Sequence, residues 1–221
     1  MIVGFSSHGT GGGKGPTEYM TDKERAGREN APPVVVKGNP EQTCELIDSL
    51  EFKHKYTSGV LSFEHSEKIT PEMEKTIIDR FEKMAFAGLK PEQYDCLWVR
   101  HTHAKHHELH FVTPRVELES GHSMNIRPPG DLAEEQFDDF RSEINARYGL
   151  ADPDDPARAK TVSIPNHELK KAAEAIRKGE KPQKDMRTLI DNIMQQRASE
   201  GLIKSRDDVL DNLKDLGFEI P

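Results

Sequence analysis

The chain has 221 residues, 34% hydrophobic, 6% aromatic and 32% charged, with a formal net charge of −8; this length allows one sizeable core and a smaller appendage, and no apolar run approaches the ~20 residues of a membrane helix. The acidity argues against a protein that coats DNA without regard to sequence, because neutralising phosphates takes a basic surface, although it is concentrated in residues 61–150 (11 Lys and Arg against 17 Asp and Glu) and leaves the flanks near neutral. Cys44 and Cys96 are too few and too far apart for a disulfide framework or a cysteine zinc site, and the N-terminus lacks the basic start and long apolar core of a signal peptide, so the expected location is cytoplasmic, without membrane insertion.

Met1 to Ser6 reads as a short strand running into a loop from His8 to Pro16 that contains five glycines. Pro16 favours the first turn of a helix, and Thr17 to Arg28 carries good helix formers, with Tyr19 just inside. A glycine loop feeding a helix can bring backbone N–H groups to a phosphate. It is not a Walker A loop, because Gly15 follows Lys14 where Ser or Thr is required, and on its own it reads as a solvated turn. Residues 32–37 suggest a strand. Asn39-Pro40 is a cap and first turn for a helix to Leu50, Thr57 to Phe63 is a strand, and Thr70-Pro71 caps a helix with Met73, Ile77, Phe81 and Met84 on its buried face.

Strands are predicted over 94–101 and 108–116, joined by six residues. Alternation puts Leu97, Val99 and His101 on one face of the first, and Glu108, His110 and Val112 on one face of the second. A helix over 131–148 turns Leu132, Phe137, Phe140 and Ile144 inward. The segment from Ala151 to Pro156, rich in proline and aspartate, opens a linker. Helices follow at 166–178, 184–199 and 206–216; Gly201 ends the second, and Ser205 with Asp208 caps the third. Ile190, Met194, Leu202, Val209, Leu213 and Phe218 are candidates for a small core. The chain stops at Pro221 just as a strand, Phe218-Glu-Ile, is expected to begin, so the extension is expected to be truncated. The expected fold class is α+β: a central antiparallel sheet flanked by helices over 1–150, a linker over 151–165 and a helical extension over 166–221.

Five of the ten histidines fall within residues 101–110. A hairpin of the two strands brings His101 beside Glu108 and His110, and two imidazoles with one carboxylate suit a divalent metal. His103, His106 and His107 fall in the connection and are weak candidates. The H-E-x-x-H zinc-protease spacing is absent, and the non-haem iron triad belongs to a barrel that this helix-rich chain does not resemble. Ligand–hydrophobe–ligand on one strand is instead the arrangement of the HUH nucleases, here with glutamate first. Such enzymes need a tyrosine on a nearby helix, and Tyr19 qualifies over Tyr56, Tyr94 and Tyr148 by its place beside the glycine loop.

Several blocks together carry a more specific resemblance: Gly-Gly-Gly-x-Gly-Pro-x-x-Tyr19, Gly38-Asn-Pro-Glu41, Lys55 to Phe63, Leu97-Trp-Val-x-His101 and Glu108-Leu-x-Phe-Val112. In these the chain resembles plasmid mobilisation relaxases of the MobA/MbeA type, an HUH-like branch, over about residues 1–150 and more loosely beyond. That family's metal trio is His, Glu, Asn; His101 and Glu108 match, while His110 stands in the asparagine's place. The resemblance implies a relaxase-type fold and nicking of single-stranded origin-of-transfer DNA by Tyr19, with a 5′-phosphotyrosyl adduct and later religation. It also implies Mn²⁺ or Mg²⁺, with Zn²⁺ a further candidate, on His101, Glu108 and His110. Accessory relaxosome proteins and a type IV secretion coupling protein are the implied partners in a bacterial donor cell, from which the protein passes with the DNA to the recipient. A phenol with a pKa of ~10 needs activation, for which His8 and Glu67 are candidate bases. Lys14, Arg25 and Arg28 are candidate DNA contacts. The alternatives are a metal-stabilised DNA-binding module without cleavage, a hydrolase using activated water, and a rolling-circle replication initiator nuclease.

Overall fold

The computed structural model describes residues 1–155 apart from His8 and Lys105, Lys171, Glu174 and Ala175, and residues 186–217. Five strands form one antiparallel sheet: β1 (Ile2–Phe5), β2 (Val34–Lys37), β3 (Tyr56–Ser62), β4 (Leu97–His101) and β5 (Glu108–Pro114). Their order is β1-β3-β5-β4-β2, so β5 is central and the two N-terminal strands are the edges. Among the described residues the α-helices with defined ends are α1 (Lys14–Thr21), α2 (Pro40–Ser49), α3 (Pro71–Ala85), α4 (Asp131–Tyr148), α5 (Met186–Ser199) and α6 (Arg206–Asp215). This is the α+β class expected from the sequence.

The helix starts follow the capping residues. Asn39 accepts from the backbone N–H groups of Glu41 and Gln42, and Thr70 from that of Met73, in each case ahead of a proline that has no N–H to satisfy. Ser205 and Asp208 form the reciprocal capping box of α6, and Gly201, at φ +76°, follows the end of α5.

Both faces of the sheet are covered. Leu61, Trp98, Leu109 and Phe111 pack with Ile77 and Phe81 of α3 and Phe137, Phe140 and Ile144 of α4. On the opposite face Tyr56, Leu97, Val99 and Val112 meet Met20 of α1 and Ile47 of α2. Gly13, just before α1, is there for close approach: a Cβ would lie 2.5 Å from the Cys44 carbonyl oxygen of α2. The glycine loop thus seats α1 directly on α2.

Several expectations need correction. The first helix runs over 14–21 rather than 17–28; its Asp22 cap is extended, and Arg28 lies in the irregular segment that follows. Leu132 is 82% exposed, and Ala133 takes the inward place at that end of α4, because the helix phase set by Phe137, Phe140 and Ile144 turns position 132 outward. Met73 and Met84 are only partly buried against the core that encloses Ile77 and Phe81. The strands at 94–101 and 108–116 are shorter at their outer ends. The chain divides into two compact units, Met1–Asp154 and Asp155–Pro221. In the second, Leu202 is 59% exposed, and Ile190, Met194, Val209 and Leu213 are only partly buried. The helix expected at 166–178, apart from Lys171, Glu174 and Ala175, and the strand from Phe218 fall outside the described residues.

Candidate active site

Strands β4 and β5 build the centre through their register. His101 pairs with Glu108 and Val99 with His110, so alternation sets the three polar side chains on the α1/α2 face, at the end of the apolar row Leu97, Val99 and Val112. One donor atom from each of His101, Glu108 and His110 falls within 4.8 Å of the others, and the two imidazole centroids are 4.3 Å apart. His110 Nε2 is 3.2 Å from Glu108 Oε2, and His106 Nε2 is 3.0 Å from Oε1. These contacts, that of His110 foremost, hold the Glu108 carboxyl down to about 2 against the opposing effect of burial. An ionised carboxylate only accepts, so both rings donate to it.

His101 is 1% exposed. Its Nε2–H donates to the Met20 carbonyl oxygen of α1 at 2.7 Å, which leaves Nδ1 with the free lone pair, buried and without a hydrogen-bond partner. Burial is the main cause that lowers its pKa to about 4. Near neutral pH the centre therefore offers a neutral imidazole with an orphaned acceptor beside an ionised carboxylate. These are the states that metal ligation requires, and the residues fit a divalent ion with mixed nitrogen and oxygen preference.

Tyr19 faces this centre. Its ring centroid is 6.0 Å from that of His110 and 6.5 Å from that of His101, and the residue is 45% exposed. The three other tyrosines are less available. Tyr56 is buried, Tyr94 donates to Glu82 and stacks on Phe86, and Tyr148 packs at the edge of the core. The guanidinium carbons of Arg25 and Arg28 lie 4.8 and 5.6 Å from the Tyr19 ring centroid. Tyr19 and His110 also line a cavity of about 740 Å³ between the glycine loop and the sheet, with Lys14, Gly12, Phe5 and Gly59 on its other walls.

The candidate DNA contacts separate. Lys14 and Arg25 are exposed, Lys14 with a 3.5 Å ion pair to Glu18. Arg28 is 1% exposed and donates to the carbonyl oxygens of Tyr19 and Asp22; it ties the loop back onto α1 and has no surface to offer a nucleic acid. The Gly13 N–H at the start of α1 donates to Asp48 at 2.7 Å, so a carboxylate of the protein already takes that donor. Glu67 accepts from the backbone N–H groups of Glu64 and Ala151, one on each carboxylate oxygen, and His8 lies outside the described residues. Sequence reasoning missed His106. Residues 106, 108 and 110 share one face if the alternation of β5 is carried two residues back, and that was the available signal. His107, also set aside as a loop residue, pairs with Glu74 at 3.0 Å, and the His103 ring lies 5.4 Å from that of His101.

The family model "Relaxase: MobA/VirD2-like, nuclease domain" matches residues 39–150. The chain is 38% identical over 224 aligned residues to DNA relaxase MbeA of Escherichia coli, an alignment that takes in all of this chain and 40% of that protein. It is 42% identical over 164 residues to Cryptic plasmid protein C of Neisseria gonorrhoeae, across 74% of this chain and 77% of the relative. No solved structure matches. The chain thus spans 40% of MbeA but most of the second relative, and with the family model covering strands β3, β4 and β5 it belongs to the MobA/VirD2-like relaxases, of whose nuclease domain it carries the matched region.

Proposed function

We propose that this protein nicks one strand of plasmid origin-of-transfer DNA by transesterification onto Tyr19 and later reseals it, as the strand-transfer step of plasmid mobilisation. The observation that carries this reading is the docking of the Tyr19 helix on a candidate ligand: the Met20 carbonyl holds His101 Nε2–H while the neighbouring Tyr19 ring lies 6.0 Å from that of His110. In the proposed reaction Tyr19 Oη forms a bond to phosphorus as the bond to the 3′ oxygen breaks. The phenolic proton is lost, and the released 3′ oxygen takes one up. The product is a 5′-phosphotyrosine with a free 3′-OH; because one phosphodiester has replaced another, the strand can be rejoined.

His101 through Nδ1, with Glu108 and His110, would hold a divalent ion, which when bound polarises a non-bridging phosphate oxygen. With His110 in place of the amide usual in the family, the set favours Mn²⁺ or Zn²⁺ over Mg²⁺. Arg25 and Lys14 place positive charge beside the Tyr19 ring and on its cavity, where a substrate phosphate would arrive. We assign catalysis to residues 1–150 and an accessory role to the helical extension, with single-stranded origin DNA, relaxosome proteins and a secretion coupling protein as partners in the donor cytoplasm. No helix among the described residues is long and apolar enough to cross a membrane.

The test is to incubate the full chain with a labelled single-stranded oligonucleotide from the origin region and Mn²⁺, then resolve the products in SDS. The wild type should leave label on the protein and Tyr19→Phe should not; an adduct that survives Tyr19→Phe overturns the assignment. A hydrolase using activated water would give a cut strand with no adduct, and a DNA-binding module would give neither. A replication initiator would form the same adduct but serve replication, so loss of plasmid transfer with intact plasmid copy number in Tyr19→Phe is the expected outcome in cells.

A further inference from the structure

We propose that a second, polar cavity beside the first is a binding site for a phosphodiester of single-stranded DNA flanking the one at Tyr19, with Arg115 as its principal cation. This inference rests on the nuclease reading above. The cavity is about 430 Å³, and its walls include Arg115, Arg127, His54 and Asn125. Ser6 lines both this cavity and the one that Tyr19 and His110 share. Phe5 walls the first cavity, and the Arg127 guanidinium carbon lies 4.9 Å from the Phe5 ring centroid. A strand leaving Tyr19 along the end of β1 would pass from an apolar cavity into a cationic one.

Arg115 directly follows β5. Its Nε donates to Thr57 Oγ1 at 2.9 Å, which orients the guanidinium; among the described residues its two terminal nitrogens make no hydrogen bond. The side chain is partly buried, and burial lowers its pKa; among the described residues no carboxylate forms an ion pair with it. A partly buried cation with no ion pair among the described residues is costly for the folded protein, and a phosphate oxygen pair is the anion that a guanidinium fork matches. Arg127 differs, since Glu134, also on the cavity wall, holds it at 2.7 Å. Glu134 thus competes with any anion that enters. The site also meets a difficulty posed by the whole chain, because a protein of net charge −8 needs a local cationic surface to hold a nucleic acid backbone.

The experiment measures binding of a fluorescent oligothymidylate of about 30 nucleotides to the full chain carrying Tyr19→Phe, with Mn²⁺, by anisotropy across a salt series. Oligothymidylate suits the purpose because phosphate contacts are independent of sequence. Arg115→Gln should weaken binding about tenfold and flatten the slope of log affinity against log salt by about 0.7. Arg115→Lys, which keeps the charge but not the Thr57 geometry, should retain the slope. Glu134→Gln leaves Arg115 untouched and should tighten binding severalfold. The inference is overturned if Arg115→Gln leaves the slope unchanged, if Arg115→Lys falls as far as Arg115→Gln, or if Glu134→Gln does not tighten binding. It is also overturned if inorganic phosphate occupies the site without competing with the oligonucleotide. If the wild type forms the Tyr19 adduct while Arg115→Gln binds normally, the nuclease reading stands and only this site falls; absence of both adduct and binding overturns the two together.

Discussion

Glu108 is held on both carboxylate oxygens, Oε1 by His106 and Oε2 by His110. The two rings do different work. His110 belongs to the donor set that would face an ion, whereas His106 lies outside that set and restrains the carboxylate through its other oxygen. Outer partners of this kind typically change metal affinity by about 10–100-fold when removed. His106→Ala should therefore weaken Mn²⁺ binding by about that factor with little loss of fold, measured by isothermal titration on metal-free protein; an unchanged affinity would show that Glu108 needs no such clamp. The clustering of His101, Glu108 and His110 was legible in the sequence, because strand alternation and a hairpin joining consecutive strands fix their register locally. The clamp was hidden because His106 precedes the strand proper, where a loop residue's direction depends on the turn. Arg28 was misread for a related reason. Its charge invited a surface role, but its partners are carbonyl groups at the C-terminal end of α1, onto which the loop folds back.

At the scale of elements, the position of α1 decides where Tyr19 lies relative to His101 and His110, and so governs the proposed reaction. The helix is seated from below by Gly13 on α2 and from the side by the bond from His101 to Met20. Gly13 has ordinary helical dihedrals (φ −69°, ψ −28°), so its glycine answers a steric demand rather than a conformational one. Gly13→Ala would drive a Cβ into the Cys44 backbone, 2.5 Å from its carbonyl oxygen, and lift α1 away from α2. Overpacking of this kind costs about 1–3 kcal/mol. Thermal denaturation should show that loss, and adduct formation should fall further than the loss of folded protein explains. Gly15→Ala is the control: its Cβ would meet nothing within 4 Å, and alanine favours a helix over glycine by about 1 kcal/mol. Equal destabilisation by both changes would refute the close-packing account. Capping residues made α2, α3 and α6 readable in the sequence, since each start is a local hydrogen-bonding problem solved within four residues. Helix α1 lacks such a side-chain cap; its start is fixed by Asp48 from another helix, a contact that local pattern does not encode.

Across the whole molecule, what the sequence concealed is long-range. The β4–β5 hairpin joins consecutive strands and could be inferred, but the order β1-β3-β5-β4-β2 depends on pairings between distant segments. One consequence is a buried ionisable cluster that ties an edge strand to the core. Glu82 of α3 is 2% exposed and takes hydrogen bonds from Lys37 of β2, Trp98 of β4 and Tyr94, with Cys96 buried close by. Burial raises the Cys96 thiol well above its ordinary value of 9.0, and burial together with the Glu82 bond raises Tyr94 above 10.0. Both groups stay protonated in the folded chain at pH values where the unfolded chain has lost those protons. Above about pH 9 the unfolded state therefore binds fewer protons, and stability falls as pH rises. With a slope of at most about 1.4 kcal/mol per pH unit for each group, the thiol alone accounts for about 2 kcal/mol at about pH 10.5. For a chain of this size that is a fall in Tm of roughly 4–8 °C relative to about pH 8. Cys96→Ala should lower Tm at every pH by leaving a small void, yet make its decline with alkali shallower. An equally steep decline in that variant would show that the buried thiol is not what alkali attacks, and would leave Tyr94 to account for the loss.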